Sequence, residues 1–347
     1  MTIRILHLVG SAVSDFLYDL SRLYARDCLE SIADEAIYEF HIALVTPDRR
    51  WRFPVDLSPE AVQAAPSMSL TDGMRHIAGL GLDVIVPQMF CLPGMTSYRA
   101  LFDVLEIPVI GNTPEVMALA ANKAKAKAIV AAAGVRVPAG EVLRYGDQWS
   151  IAPPVVVKPV TGDNSLGVTL VRDVAAYGPA LQSAFVHSDE VLVETFIELG
   201  REVRCGTIVR NGELICLPLE EYDVDSATKP IRTYDDKISR NGDGELNLVA
   251  KVSTRAWTVD PSDPLTQRVW DAARKCHRAL GCRHYSLFDF RIDRDGQPWF
   301  LEAGLYCSFA EQSVISMMAK AAGMPLHELF SSAIREARAQ QELILNE

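Results

Sequence analysis

Apolar residues recur along this chain with two periods, and the shorter one opens it. Ile3 to Val9 is an apolar run that stops at Gly10-Ser11, which predicts a buried strand. From about Asp15 to Ala33 the period lengthens, and Phe16, Leu20, Leu23, Tyr24 and Cys28 predict a helix. A second strand, Glu39 to Thr46, ends at Pro47-Asp48-Arg49-Arg50. A strand, helix and strand in this order predict a small parallel sheet. The runs Asp83 to Gln88 and Ile107 to Asn112 predict two more strands. A helix follows, with Thr113 as its N-cap and Pro114 in the first position, and it carries Asn122-Lys123 before stopping near Gly134. Later strands are predicted at Val191 to Glu194, Arg201 to Val209, Glu213 to Pro218, Tyr285 to Asp293 and Pro298 to Ala303. Asn211-Gly212 marks a tight hairpin, and a helix is predicted near Leu265 to Leu280. The segment from about Asp223 to Gly244 is polar and irregular.

One stretch stands out chemically. Val155-Val156-Val157-Lys158 delivers a lysine into the turn Gly162-Asp163-Asn164-Ser165-Leu166-Gly167, and a second apolar run leaves through Val168, Leu170 and Val171. This predicts a hairpin whose glycines let backbone N–H groups approach phosphate oxygens while Lys158 adds a point charge. The lysine precedes the glycines, so the pattern is not that of a P-loop. An ordinary hairpin with a buried lysine stem is the alternative.

Composition narrows the choice. A length of 347 residues favours two or three packed domains, and a net charge of −11 argues against nucleic-acid or anionic-membrane partners. It leaves ATP open, because a nucleotide needs only a few local cations. Seven scattered cysteines without a Cys-x-x-Cys predict reduced thiols in a cytoplasmic protein. Cys276-His277 with Cys282 and His284 fits no common zinc spacing and reads as core. The N-terminus is too short and too polar at its flanks for a signal peptide, and no run reaches membrane-spanning length.

In order along the chain, Lys123, Lys158 with its glycine loop, Glu194, Glu202, Lys237 and the Asp289/Glu302 pair resemble the ATP-grasp superfamily, and within it the D-alanine–D-alanine ligase branch, over nearly the full length. The resemblance implies a three-domain α/β (α+β) fold. Its parts would be a parallel-sheet domain at 1–112, a central subdomain at 113–190 with the phosphate loop, and a C-terminal subdomain at 191–347 with the metal site. ATP would lie between the last two. Lys123 and Lys158 would reach the phosphates, with Gly162, Ser165 and Gly167 in the loop closing over them. Glu194, Phe196 and Ile197 would meet adenine, and Glu202 the ribose hydroxyls. Asp289 and Glu302 would hold Mg²⁺, and Lys237 would meet the transferring phosphate. Ser313 would face the second substrate's carboxylate. The loop at Asp163 to Ser165 and the segment from Asp223 to Gly244 are candidate lids. The implied reaction phosphorylates a carboxylate to an acyl phosphate, which an amine then attacks with ADP already formed. A homodimer acting on small molecules is implied as well.

The departures from the family pattern bear on the substrates. Places that family members fill with Glu, Ser and Tyr for the first substrate read Ser14 to Tyr18, Asn164 and Ile238, and a His-containing segment becomes Met89-Phe90-Cys91-Leu92-Pro93-Gly94-Met95-Thr96. An arginine two residues before the metal aspartate is Leu287, and a metal-binding asparagine is Gly304. These changes predict a carboxylate–amine ligase whose substrates are not two D-alanines. The alternatives are a nucleotide-binding protein with lost ligase chemistry, or phosphoryl transfer to a non-carboxylate acceptor. Cys307 is predicted to be buried and inert, since no neighbouring His or Lys lowers its pKa.

Overall fold

Three sheets order the chain in the computed structural model, which describes residues 2–162, 165–225, 227–232, 238–240, 246–248 and 256–345. The first contains β1 (Ile3–Gly10), β2 (Tyr38–Val45), β3 (Trp51–Arg52) and β4 (Val84–Pro87) in the order β3-β2-β1-β4. β1 pairs in parallel with both β2 and β4. Between β1 and β2 runs α1 (Asp15–Ile32), capped by Ser14, whose hydroxyl accepts from the Leu17 amide. Its buried stripe includes Leu20, Ala25, Cys28 and Ile32. The β1–α1 turn needs Gly10, because its φ is +102° and a Cβ there would stand 2.0 Å from the Val45 carbonyl oxygen. Helices α2 (Pro59–Ala64), α3 (Leu70–Ala78), α4 (Leu92–Met95) and α5 (Ser97–Val104) complete this part.

The strand expected at Ile107 to Asn112 shrinks to a single bridge between Val109 and Ile85. Pro108 has no N–H to donate and Gly111 turns the backbone to φ +98°, so no ladder can extend. The helix expected to run on to Gly134 is also divided, into α6 (Pro114–Ala121) and α7 (Lys123–Ala132). Asn122 breaks it with φ −96° and ψ 100°, and its side chain caps α7 by accepting from the Lys125 amide. Lys123 therefore begins a new helix.

The second sheet is antiparallel, built from β5 (Gly140–Arg144), β6 (Val155–Pro159), β7 (Thr169–Val171) and β8 (Glu190–Thr195) in the order β5-β8-β6-β7. The hairpin anticipated around Lys158 is β6–β7. α8 (Tyr177–Phe185) covers one face, where Val155, Val157, Val191 and Val193 pack on Tyr177, Leu181 and Ala184. Strand β8, expected to open the C-terminal part beyond residue 190, is hydrogen-bonded inside this sheet between β5 and β6.

The third sheet has β9 (Arg201–Arg210), β10 (Glu213–Cys216), β11 (Glu220–Tyr222), β14 (Ala256–Thr258), β15 (Tyr285–Ile292) and β16 (Pro298–Ala303), while β12 (Ile238–Arg240) and β13 (Leu246–Leu248) pair with each other. The β9–β10 turn uses Asn211 and Gly212, both at positive φ, as an Asn-Gly hairpin requires. α9 (Pro264–Ala279) packs on the face carrying Val203, Cys205, Phe288 and Phe290, and residues of α6 and α7 join that core. α10 (Val314–Ala321) and α11 (Leu326–Leu345) pack on the opposite face, and their core extends to Ile5, Val84 and Val86 of the first sheet. No helix among the described residues is long and apolar enough to cross a membrane.

Candidate active site

Strand alternation places the chemistry. β6 and β8 turn their valines to α8, so Val156, Lys158 and Glu194 fall on the other face, and Val156 lies directly opposite Glu194. Lys158 reaches diagonally, with its Nζ 2.5 Å from Glu194 Oε1. From the far side Lys127 of α7 brings its Nζ to 3.0 Å from Glu194 Oε2 and donates to the Phe300 carbonyl at 3.0 Å. All three groups are buried. Burial pulls the Lys127 ammonium down to about 8 even though Glu194 opposes it. Burial pushes the Glu194 carboxyl up, but the Lys127 and Lys158 charges outweigh it and hold the group below its ordinary range.

Four residues away on the same helix face, Lys123 donates its Nζ to the Gly162 carbonyl, and its backbone N–H donates to Val160. The first turn of α7 is thereby tied to the glycine loop between β6 and β7. In that loop Gly162, Ser165 and Gly167 have φ of +123°, +60° and +69°. A Cβ on Gly167 would lie 2.8 Å from the His187 ring, so both its angle and its space demand glycine.

The opposing wall comes from β9, β15 and β16. Glu202 and Arg204 share a face of β9, as Asp289 and Arg291 do on β15, and the register sets Asp289 opposite Arg204 and Arg291 opposite Glu202. Arg291 Nη2 lies 2.7 Å from Glu202 Oε2 and 2.8 Å from the Pro230 carbonyl oxygen. Arg204 grips Asp289 through two bonds, from Nε to Oδ1 and from Nη2 to Oδ2 at 2.8 Å. Arg232 stacks on the Tyr222 ring, 3.5 Å from its centroid, and its Nη1 is 3.9 Å from Asp289 Oδ2. Glu302 stands opposite Asp289 across β15–β16, and the register slips just beyond them. That slip lets Leu301 and Glu302 both border the space between the walls.

The space is a cleft of about 790 Å³ counting its open mouth. Lys123, Lys158, Gly162 and Ser165 are among its lining. Glu194, Phe196 and Ile197 line it as well, with Glu202, Asp289 and Glu302 on the opposing wall. Phe196 is buried, with the guanidinium groups of Arg172 and Arg291 at 5.4 Å and 5.2 Å from its ring. Ser313 lies outside this lining, as the N-cap residue of α10, with its hydroxyl 2.8 Å from that of Ser316. Asn164 and Lys237 lie outside the described residues, as do 226, 233–236 and 241–244 of the 223–244 segment.

Sequence reasoning passed over Lys127, Arg204, Arg232 and Arg291. Two of these carried a signal: Arg204 follows Glu202 by two residues and Arg291 follows Asp289 by two, so each pair had to share a strand face. The histidines near Cys276 are satisfied core groups. His277 Nδ1 meets Ser286 Oγ at 2.9 Å, and the Gly111 amide donates to His284 Nδ1 at 2.8 Å. Cys307 is buried, and that burial pushes its thiol up to about 12.

A family model described as "D-ala D-ala ligase C-terminus" matches residues 144–335. A D-alanine–D-alanine ligase of Citrifermentans bemidjiense is 31% identical over 248 residues, covering 70% of this chain and 74% of that relative. The fold matches the D-alanine–D-alanine ligase structure from Coxiella burnetii with a TM-score of 0.78 at 18% identity, over 99% of this chain and 96% of that one. VanG D-Ala:D-Ser ligase from Enterococcus faecalis superposes with a TM-score of 0.74 at 19% identity, covering 97% of this chain and 100% of that one. With a family model over more than half its length and a relative of this identity, the chain belongs to the D-alanine–D-alanine ligase family of ATP-grasp enzymes, which are ADP-forming ligases.

Proposed function

We propose that this ligase joins a carboxylate to an amine through an acyl phosphate, that it uses ATP with Mg²⁺, and that its substrates are an amino acid or small peptide pair other than two D-alanines. The observation that carries the substrate reading is the aromatic cluster that α1 forms with Phe90 and Tyr306. Phe16, Leu20 and Tyr24 pack with Phe90 and Tyr306, with Tyr24–Phe90 and Phe90–Tyr306 centroid distances of 5.4 Å. Asp15, the acid of the helix's first turn, is exposed. Such an aromatic face suits a side chain larger and more apolar than the methyl group of alanine. The D-Ala:D-Ser ligase among the structural neighbours is so named for a pair other than two D-alanines.

In this reading the adenine rests among Val156, Phe196, Ile197 and Leu301, with Glu194 accepting from its amino group and Glu202 accepting from the ribose. Lys123 and Lys158 neutralise phosphate charge, and the Gly162 to Gly167 loop covers it. The donor set suits Mg²⁺: Asp289 and Glu302 are hard oxygen donors side by side on the cleft wall. Among the described residues no third His, Cys, Asp or Glu joins them, which a metal that keeps several waters and binds phosphates tolerates. Bound there, Mg²⁺ would neutralise charge on the phosphoryl group as it transfers. The acceptor carboxylate oxygen attacks the γ-phosphorus, ADP leaves, and the amine nitrogen then displaces phosphate from the acyl carbon with loss of a proton. The roles proposed for Lys237, at the transferring phosphate, and Ser313, at the second substrate's carboxylate, stand with this reading. ADP and phosphate release measured over a matrix of amino-acid pairs tests it. ADP formed with D-alanine alone would overturn the substrate assignment.

A further inference from the structure

We propose that Arg204 is the cation that meets the acyl group, holding the acceptor carboxylate and then the oxyanion formed when the amine attacks. The inference rests on the ligase reading and adds a residue to it. In the ligase reading Phe196, Ile197 and Glu202 meet the nucleoside while Asp289 and Glu302 hold the metal at the phosphates, so the acceptor approaches past Asp289. Arg204 is the residue directly opposite Asp289 on the neighbouring strand. The Arg204 charge also acts on Tyr24 of α1, so the guanidinium has that helix in its neighbourhood as well as Asp289. Two edges of that guanidinium are committed, Nε and Nη2 to Asp289, while Nη1 donates to no group among the described residues. The Tyr222 ring lies near it, 5.4 Å from ring centroid to guanidinium carbon.

The other cations near Asp289 are differently occupied. Arg291 is held by Glu202 and by the Ile197 and Pro230 carbonyls. Arg232 lines the nucleotide cleft beside Glu202, with 4.0 Å between Nη1 and Oε1. Farther along β15 on the same face, Leu287 is buried in the apolar core with Ile208 and Met318, so no charge comes from there. A planar guanidinium anchored on one carboxylate and offering a third donor is suited to a second carboxylate, and it remains charged throughout the reaction. As the amine adds to the acyl phosphate, the carbonyl oxygen becomes an oxyanion, and collapse to the amide expels phosphate. Donors fixed before that charge develops stabilise it most.

Acyl-phosphate trapping tests the assignment without knowledge of the natural amine. The protein is incubated with ATP, Mg²⁺, hydroxylamine and each proteinogenic L-amino acid or D-alanine in turn, and hydroxamate and ADP are measured. Hydroxylamine nitrogen replaces phosphate on the acyl carbon, giving one hydroxamate, one phosphate and one proton. With an acid that reacts, Arg204→Gln is expected to lower kcat on the order of 100-fold, and Arg204→Lys about tenfold, while ATP affinity by calorimetry stays within about threefold. Should the Gln variant fail to fold, the Lys variant carries the same comparison. If Arg204 only orients Asp289, its loss will raise the Mg²⁺ requirement and saturating Mg²⁺ will restore kcat; that result overturns the proposal. Unchanged turnover of both variants overturns it too. Wild-type protein that makes no hydroxamate from any acid defeats the carboxylate-activating reading itself, and the assignment of Arg204 falls with it.

Discussion

Glu202 and Arg291 stand directly opposite each other on β9 and β15, joined at 2.7 Å, with both side chains buried. Glu202 thus has one oxygen bound to a fixed guanidinium and the other turned towards Arg232. A carboxylate held this way is a preset acceptor for a pair of hydroxyls. Glu202→Gln is expected to weaken ATP binding by about tenfold or more, the usual worth of hydrogen bonds to a charged group. The same change should narrow the preference for ATP over 2′-deoxy-ATP. Titration of both nucleotides checks this, and an undiminished preference would remove Glu202 from the ribose.

Lys127 and Lys158 share Glu194, so deleting one leaves a buried carboxylate with half of its compensation. Lys127→Met keeps the volume and should cost about 2 to 3 kcal/mol of folding free energy. Adding Glu194→Gln to that variant should recover part of the loss, because the uncompensated charge is then gone. Urea unfolding of the two singles and the double closes the cycle, and purely additive effects would show that the pair is not coupled.

Gly304 follows β16, and a Cβ built on it meets only Leu287 Cδ2 at 3.9 Å, an ordinary contact. Gly304→Asn should therefore fold, placing an amide oxygen near Glu302. The expected result is a fall in the Mg²⁺ concentration for half-maximal activity on the order of tenfold, equivalent to about 1.4 kcal/mol. An unchanged Mg²⁺ dependence would mean that the ion sits elsewhere.

His7, His277 and His284 are buried, and desolvation lowers each to about 4 from 6.5. Between those values the unfolded chain binds protons that the folded protein refuses. Stability must then fall as pH drops from 6.5 towards 4, by at most about 1.4 kcal/mol per pH unit for each histidine. His277→Gln should flatten that slope by about one proton. Chemical denaturation between pH 6.5 and 5, above the range where most carboxylates titrate, measures it.

What could be read from the chain follows from how each signal is encoded. Lys158, Glu194, Asp289 and Glu302 sit in or at the ends of short apolar strands, where a charge is conspicuous, and the structure places all four on one cleft. Lys127 was invisible because its helix reads as a solvated Ala/Lys segment; only the α7–β16 packing buries it. Arg204 and Arg291 gain meaning from cross-strand register, which no single strand contains. Asn122 shows a different limit: in an unbroken run of helix formers, a residue that favours capping ended one helix and began another. The place of β8 was misjudged because a buried strand carries no label naming its sheet.

The packing of α6 and α7 on the third sheet has a mechanical meaning. These helices precede the central sheet in the chain yet belong to the floor beneath it, so the whole β5–β8 unit is an excursion that leaves after α7 and returns at β9. Lys127 and Glu194 are then hands on opposite jaws: one is fixed to the floor, the other rides on the excursion, and their grip sets how far the jaws stand apart. A nucleotide bound there, as proposed, would meet a clasp that is already shut at its back.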